Sequence, residues 1–294
     1  MDLTPNDDQI ALRTATADWC HNHLRLEDAR ARAPDLWPQL ETMGWTGMTT
    51  PAMGLDHASE ALVFAELGRV LAPIALVPSA VAARWAGVTG KVALALPATD
   101  FVRLFDGDGA QRALGLFGDD VGYFAIDDAA SAPSLDLSTS VARIGPPAAI
   151  DRLADPRAAL HLQLLAAAFA VGCADAARDM AADYAKIREQ FERPIGWFQA
   201  IKHMCADMAV RCAAARAQLY YAACALDADD AEAAFHIAAA KRLADRAALN
   251  NGRANIQIHG GIGMTDEATP HLCLKRAHLL GFVAPARAEV LLAA

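Results

Sequence analysis

The sequence lacks the features of several large classes of protein. Its 294 residues carry a formal net charge of −9, which argues against nucleic acid as a partner. The longest apolar stretch, residues 160–173, contains His161 and Gln163 and is shorter than the roughly 20 residues of a membrane span. The acidic start MDLTPNDDQ has neither the basic nor the apolar region of a secretory signal. We therefore expect a cytoplasmic protein with no membrane association.

Cysteine pairs with metal-binding or redox spacing are also missing. The six cysteines are scattered over helical patterns, and no CxxC pair occurs. We interpret them as reduced core thiols and expect no metal site. Hydrophobic residues make up 54% of the chain, enough for a sizeable core, and many of them are alanines, which favour closely packed helices.

The chain divides into three segments that differ in apolar periodicity and in Gly and Pro content. This division predicts a mainly α protein with a small β segment in the middle. Residues 1–90 indicate an N-terminal helical domain, and residues 151–294 indicate a C-terminal bundle of four helices with short connections. Residues 91–150 contain short apolar runs separated by Gly and Pro, typical of a small β-domain. Strands are expected at residues 91–96, 101–105, 114–117, 121–126 and 141–144, with a loop over 127–140.

Several local features are predicted within this frame. The helix at 57–71 should turn Glu60 and Glu66 to water. The first bundle helix should run over 157–190, followed by helices at 198–226, 231–258 and 267–280. Thr265 can cap the last of these, next to Glu267 at its start.

Two stretches carry candidate binding residues. The first, YAKIREQFERPIGWFQ at residues 184–199, combines guanidinium groups with an aromatic side chain near a Pro–Gly turn. The second, QIHGGIG at residues 257–263, places a glutamine before a glycine pair. Charge for a pyrophosphate, a flat face for adenine and glycines that allow close approach together suit a dinucleotide. Each stretch alone is equally well explained as a surface charge run or a helix C-cap.

Taken together, these stretches resemble the acyl-CoA dehydrogenase family. REQFERPIGWFQAIKH is similar to its R-x-x-F-G-x-x-I-x-x-x-Q segment, and QIHGGIGMTDE to its Q-x-x-G-G-x-G segment. LWPQLETMGWTGMTTP and AELGRVLAP resemble its first-domain helices and loop. The resemblance implies a helical domain, a β-domain and a four-helix bundle. It also implies contacts to the ADP half of a neighbouring subunit's FAD by Arg188, Phe191, Gln199, Gln257, Gly260 and Gly261.

The sequence departs from this family at its catalytic positions. The resemblance places the usual glutamate base near Ala284 and the alternative one, nine residues before Gly172, at Gln163. Neither an amide nor an alanine can act as a general base at neutral pH. Glu289 is the nearest carboxylate but stands about five residues late, so we assign no catalytic residue. Segments similar to the family's flavin-ring and thioester loops are also missing between residues 94 and 140.

This pattern favours one subunit of a heteromeric enzyme. A branch of the family forms α₂β₂ complexes in steroid side-chain degradation, in which a shortened subunit pairs with a fuller one. By resemblance, FAD would be shared at the unlike interface, and the fuller acyl-CoA dehydrogenase subunit would supply the glutamate. The acyl-CoA substrate would carry a steroid side chain, and electrons would pass to an electron-transferring flavoprotein or similar acceptor. The alternatives are a flavin-free scaffold protein and a hydratase or dehydratase on the same fold.

Overall fold

The computed structural model describes residues 3–33 and 35–292, which form helices before and after a central sheet. The helices before the sheet are α1 (Asp7–His23), α2 (Leu36–Thr42), α3 (His57–Arg69) and α4 (Leu76–Ala86). The helices after it are α5 (Arg157–Ile187), α6 (Gln199–Asp227), α7 (Ala233–His259), α8 (Pro270–Leu280) and α9 (Ala288–Leu292). The predicted fold class is confirmed, whereas the division into three domains stays a prediction.

The central sheet has seven strands in the order β5-β6-β2-β1-β3-β4-β7. They are β1 (Val92–Pro97), β2 (Val102–Phe105), β3 (Arg112–Phe117), β4 (Asp120–Ala125), β5 (Ala130–Ala132), β6 (Val141–Ile144) and β7 (Asp151–Arg152). Among the strands of the described residues, only β1 and β3 pair in parallel. The prediction of an unbroken loop over 127–140 was wrong, because residues 130–132 pair with β6 as an edge strand.

The two faces of the sheet have different neighbours. Alternate residues such as Leu94, Phe105 and Leu114 join the main core shared with the helices. The residues between them, including Ala95 and Leu104, form a separate small core on the opposite face. The helix-facing side therefore lies against the bundle, where a site between sheet and helices can form.

The long helix α5 is the centre of the molecule. It is long and apolar enough to cross a membrane by length and composition, yet 83% of its most apolar window is buried, as in a core helix. It crosses α3 at two facing glycines, Gly68 and Gly172. A Cβ on Gly172 would lie 1.9 Å from the carbonyl oxygen of Ala65, and one on Gly68 would lie 2.4 Å from that of Phe169. Only glycine allows these two backbones to pack so closely.

Two bundle helices have an end that lies three residues from the predicted one, and the other two differ from the prediction by one or two residues. Helix α5 ends at Ile187 instead of residue 190, because residues 189–190 enter a hairpin as β8 (Glu189–Gln190), paired with β9 (Arg193–Pro194). Helix α8 begins at Pro270, three residues after the predicted start, with proline in its first turn. The Thr265 hydroxyl donates to the Ile262 carbonyl oxygen and caps no helix.

The expectation that Glu60 and Glu66 face water was wrong. Glu66 is 8% exposed and lies 3.5 Å from the Arg69 guanidinium. Glu60 is fully buried and accepts a hydrogen bond of 2.6 Å from Nε2 of the buried His161. Helical periodicity could not reveal these acids as buried, because their partners come from the same turn and from distant helices.

The surroundings of His161 determine its protonation. The Trp85 indole N–H, which can only donate, points at Nδ1 of His161 at 3.0 Å. The ring proton therefore resides on Nε2, where it is donated to Glu60 and leaves no lone pair for a metal ion. Burial lowers the pKa of His161, which keeps the ring neutral. His57, Glu60 and His161 are close enough to resemble a metal-ligand set, but this tautomer makes them a hydrogen-bonded cluster.

Candidate functional site

The two candidate stretches meet at one end of the bundle. Helices α5 and α7 run in the same direction, and their carboxyl ends are adjacent. The Asn255 amide contacts the Met180 sulfur at 3.3 Å. One turn further on, the Tyr184 and His259 rings stack with centroids 4.1 Å apart. The residues after Tyr184 and those around His259 therefore lie side by side on this end of the molecule.

A strained hairpin projects from the end of α5. Its two-residue turn is Phe191–Glu192, with φ angles of 54° and 62°. This is the positive-φ geometry that two-residue hairpins need, but glycine and asparagine normally occupy it. The family pattern has glycine where this chain has Glu192. A non-glycine residue in this conformation costs about 1–2 kcal/mol. The Phe191 ring touches Phe198 edge-on and is otherwise 82% exposed.

The predicted polar groups of this end are exposed. Arg188 caps α5 through its backbone and is bonded there to Tyr184 and Ile195. Its guanidinium has no ion-pair partner within the described part of the chain. Gln199 opens α6 and Gln257 lies in the last turn of α7, both solvent-exposed. These side chains are therefore available to another molecule.

The two glycines after α7 differ in whether the fold of this chain requires them. Gly260 has φ 67° and ψ −147°, a conformation restricted to glycine, and it ends α7. Gly261 has no positive φ, and a Cβ added to it would meet nothing within 4 Å. This chain's own fold therefore explains glycine at 260 and leaves glycine at 261 without an internal reason.

Exposed apolar side chains are unusually frequent around this end. Sequence reasoning missed them, although a helix-end apolar residue followed by an aromatic hairpin was a usable signal. Trp197 is 64% exposed, and its ring lies near the cationic groups of Arg193 and Lys202. Others nearby in the same segments of chain are Ile187 at 77%, Ile262 at 45% and Met264 at 69% exposure. Several large exposed apolar side chains in neighbouring segments are typical of an interaction surface.

A second region joins the start of α5 to the segment after α8. The Gln163 amide donates to the Ala284 carbonyl oxygen at 2.9 Å and to the Pro285 carbonyl oxygen at 3.2 Å. Ala284 is buried, with φ 42°. Glu289 is exposed in the first turn of α9. The two positions predicted to lack a base therefore adjoin each other, and each of them contributes only an amide or a backbone carbonyl.

Comparison with known proteins identifies the family. The sequence profile for the acyl-CoA dehydrogenase N-terminal domain matches residues 6–88, and that for the C-terminal domain matches residues 157–284. The acyl-CoA dehydrogenase IpdE2 of Mycobacterium tuberculosis is 30% identical over 302 residues, covering 94% of this chain and 92% of the relative. The chain belongs to the acyl-CoA dehydrogenase family.

Solved acyl-CoA dehydrogenase structures have the same fold. The ChsE4–ChsE5 complex from Mycobacterium tuberculosis matches with a TM-score of 0.75 and 21% identity, over 96% of this chain and 94% of that one. A variant of the Tcur3481–Tcur3483 steroid enzyme matches with a TM-score of 0.76 and 23% identity, over 94% and 93%. Both likenesses extend over the central sheet, where neither family profile matches.

The Gln163–Ala284 contact joins the two positions that the resemblance to the family predicts for the catalytic base. Proton abstraction needs a carboxylate or another base within hydrogen-bonding reach of the substrate. An amide that already donates to two carbonyls can neither accept the proton nor turn without losing those bonds. The resemblance to the family thus coexists with a centre that has no base at either expected position.

Proposed function

We propose that this chain is a subunit of a heteromeric FAD-dependent acyl-CoA dehydrogenase, and that a fuller acyl-CoA dehydrogenase subunit supplies the catalytic glutamate. The observation that carries the proposal is the contrast between two regions. Exposed groups suited to a dinucleotide cluster at one end of the bundle, whereas an amide and a backbone carbonyl occupy the positions of the base. A homomeric enzyme would need both the dinucleotide-binding groups and a catalytic base on the same chain.

The exposed end fits the ADP half of FAD. The unpaired Arg188 guanidinium can hold a pyrophosphate, and the exposed Phe191 ring offers a face to adenine. The missing Cβ at Gly261 leaves room for close approach of the backbone, beside Gly260 and Gln257. Gln199, in the first turn of α6, adds an amide from the same stretch as Arg188 and Phe191. When bound, FAD supplies the acceptor for the hydride removed from the acyl-CoA.

The strain in the hairpin supports a partner at this end. Phe191 and Glu192 both adopt positive φ, and in return the Phe191 ring gains only the edge-on contact with Phe198. Strain of this kind persists where function requires the geometry. A partner subunit that covers the exposed apolar side chains would supply the missing burial, at about 25 cal/mol for each Å² of apolar surface removed from water.

In this proposal the chain is part of an α₂β₂ assembly that acts on a steroid side-chain acyl-CoA in the cytoplasm. One matching structure is of a named complex of two chains, and another is of a steroid enzyme. In the proposed assembly each FAD lies between unlike chains, so the tetramer holds one flavin for each pair. Electrons leave through an electron-transferring flavoprotein or a similar acceptor.

The test is to purify this chain alone and after co-expression with the product of a neighbouring gene that encodes a fuller acyl-CoA dehydrogenase. We expect a colourless chain alone and a yellow complex with one FAD for each pair of unlike subunits, measured by flavin absorbance and native mass spectrometry. A yellow, active chain by itself would refute the proposal. A colourless chain that ignores every partner would favour the scaffold, and turnover without a redox acceptor would favour a hydratase.

The role of Arg188 can be separated from general damage to this end. In the complex, Arg188→Gln should weaken FAD retention about tenfold, the value of one charge-assisted contact. Lys186→Gln is the matched control, because Lys186 is an exposed cation two residues away that is paired with Asp183 at 2.8 Å. Equal flavin loss in both variants would mean that Arg188 does not contact the cofactor.

A further inference from the structure

A cavity of about 630 Å³ lies between the N-terminal helices and two turns of the central sheet. Its walls come from the connection between α1 and α2, the first turn of α2, the residue before β1, and the turns that follow β2 and precede β6. This volume is in the range of small-molecule sites, about 300–1,000 Å³. The residues of the proposed flavin end and of the predicted base positions do not border it, so this cavity is a separate region of the molecule.

Two cationic side chains on the cavity wall are bonded only to neutral oxygen atoms. The Arg32 guanidinium donates to the carbonyl oxygens of Arg25 at 2.9 Å and Val70 at 2.6 Å. The Lys91 ammonium donates to the carbonyl oxygen of Asp108 at 2.8 Å. Within the described part of the chain, neither cation has a carboxylate oxygen within ion-pair distance. Their hydrogen bonds are therefore made, but their positive charges lack a counter-charge.

The surroundings of Arg32 make this missing counter-charge costly. Burial lowers the pKa of Arg32 to about 10, and the nearby Arg276 guanidinium lowers it further, while Asp28 offsets part of the change. The Nε atom of Arg32 is also buried and has no hydrogen-bond partner among the described residues. An anion in the cavity would stabilise the charged form of this side chain.

A third cation, Arg30, borders the cavity from the same connection. Its guanidinium donates to the carbonyl oxygens of Asp266 at 2.6 Å and Ala268 at 3.2 Å. The Asp266 carboxylate lies 3.7 Å from this guanidinium, but that side chain is 79% exposed. Exposed ion pairs of this kind contribute little. Arg30 is therefore also able to interact with an anion in the cavity.

The two acids that border the cavity do not neutralise its cations. Asp106 is buried, and its carboxylate accepts hydrogen bonds from the Thr139 hydroxyl and from the backbone N–H groups of Ser140 at 3.2 Å and Ala75 at 3.4 Å. Asp108 is exposed to solvent, and only its backbone carbonyl binds a cation of the cavity. The three cations thus outnumber the acids and are paired with neither of them.

An aromatic ring supplies the apolar part of the cavity. Trp37 is half-buried, and the Lys91 ammonium lies 5.4 Å from its ring centroid. The indole N–H of Trp37 is already donated to Glu41 at 2.7 Å, so the ring offers a ligand its apolar surface. Leu36 and Pro73 also border the cavity. A ligand that fits these walls has an anionic group and a small apolar body.

We propose that this cavity binds a phosphate monoester, with its phosphate at Arg30, Arg32 and Lys91 and its organic group against Trp37. The cations come from separate segments, and their end nitrogens already bond to carbonyl oxygens. A tetrahedral phosphate can accept from several such donors at once, whereas a carboxylate pairs best with one guanidinium that presents both nitrogens. This inference concerns the chain's own cavity and does not depend on the proposed FAD-sharing partner.

The experiment is isothermal titration calorimetry of the full chain with phenyl phosphate. The references are benzyl alcohol, which lacks the charge, inorganic phosphate, which lacks the ring, and benzoate, which carries a carboxylate. We expect saturable binding of one phenyl phosphate for each chain, and binding of each reference that is at least about tenfold weaker. No saturable binding of phenyl phosphate, or equal or tighter binding of any reference, would overturn the proposal.

Variants of the two ligand-facing groups separate the phosphate from the organic part. Lys91→Gln should weaken the binding of phenyl phosphate and of inorganic phosphate about tenfold. Lys202→Gln is the matched control, since the Lys202 ammonium also lies over a tryptophan ring, 5.7 Å from the centroid of Trp197, but does not border the cavity. Trp37→Leu should weaken the binding of phenyl phosphate alone. Equal weakening in both lysine variants, or equal loss of both ligands in a folded Trp37 variant, would contradict the assigned site.

A second pair of variants keeps the test decisive if Trp37→Leu does not fold. Ala33 and Ala31 are both exposed residues of the same connection, but only Ala33 borders the cavity. A carboxylate on the cavity wall should repel the phosphate, so Ala33→Glu should abolish binding and Ala31→Glu should keep it. Folding of both variants is checked by circular dichroism. Full binding of phenyl phosphate by a folded Ala33→Glu chain would overturn the proposal.

Discussion

Replacing Gln163 by glutamate tests the interpretation of the catalytic centre directly. The Gln163 amide donates to two backbone carbonyl oxygens, at 2.9 Å and 3.2 Å. An ionised carboxylate would face both oxygens with no proton to donate. A protonated carboxyl could keep one of the two bonds. We therefore expect the folded chain to hold the new carboxyl protonated, with its pKa above the ordinary glutamate value of about 4.3.

The expected loss of stability depends on pH. A net hydrogen bond contributes about 1 kcal/mol, so the protonated variant should lose about that amount. With a raised folded-state pKa, the folded chain binds more protons than the unfolded chain. The additional loss therefore grows as pH rises through about 4.3 and levels off above the folded pKa. Each unit of rise in pKa costs about 1.4 kcal/mol, and for this half-buried side chain we expect a rise of about one unit.

Urea unfolding of wild type and Gln163→Glu at about pH 4.5 and about pH 8 measures this difference. The variant should lose about 1 kcal/mol at the lower pH and about 2–3 kcal/mol at the higher. Gln163→Met is the control, because it removes the hydrogen bonds without adding a titrating group and should lose the same amount at both pH values. A Gln163→Glu variant as stable as wild type, or one whose loss does not increase with pH, would refute the assigned hydrogen bonds.

Three further predictions concern the fold. Gly172→Val should destabilise the chain by more than about 3 kcal/mol through the α3–α5 clash, whereas Gly145→Ala, with nothing within 4 Å, should change thermal unfolding little. Glu192→Gly should raise the free energy of unfolding by about 0.5–1 kcal/mol in urea by relieving its positive φ, and an unchanged or lower value would contradict the assigned strain. Because burial lowers the pKa of His161 below 6.5, its contribution to stability is present above pH 6.5 and is lost as pH falls below it. Acid titration of wild type and His161→Gln by circular dichroism should therefore show less acid sensitivity in the variant, relative to its own stability at neutral pH, and equal sensitivity would refute a neutral buried ring.

Local sequence patterns predicted those elements well that depend mainly on their own residues and little on distant parts of the chain. The apolar periodicity of α5 and the Gly/Pro punctuation between residues 91 and 126 placed helices and most strands correctly. The same reasoning missed β5, because residues 130–132 are Ala-Ser-Ala and become a strand only through pairing with β6. It also wrongly predicted that Glu60 is exposed, because the histidine that donates a hydrogen bond to this carboxylate comes from another helix, 101 residues away.

The candidate site was predictable to a different degree in each part. Residue types and spacing identified Arg188 and the glycine pair, because a charged side chain and the lack of one at glycine can be recognised directly from the sequence. Their role in binding FAD stays a prediction. The cavity beside Arg32 and Lys91 could not be foreseen, because its walls come from helices and turns that are far apart in the sequence. The Gln163–Ala284 contact likewise joins segments that only the folded chain brings together.

The exposed hairpin end has a consequence for how this protein must be produced. In the free chain, the side chains of Ile187, Phe191 and Trp197 are exposed to solvent. Surfaces of this kind lead to self-association and to recognition by chaperones and proteases. Under the proposed assembly, excess copies would have a short lifetime, and the amount of enzyme would be set by whichever chain is scarcer. The exposed end of the bundle would then require that the two chains be synthesised in equal amounts.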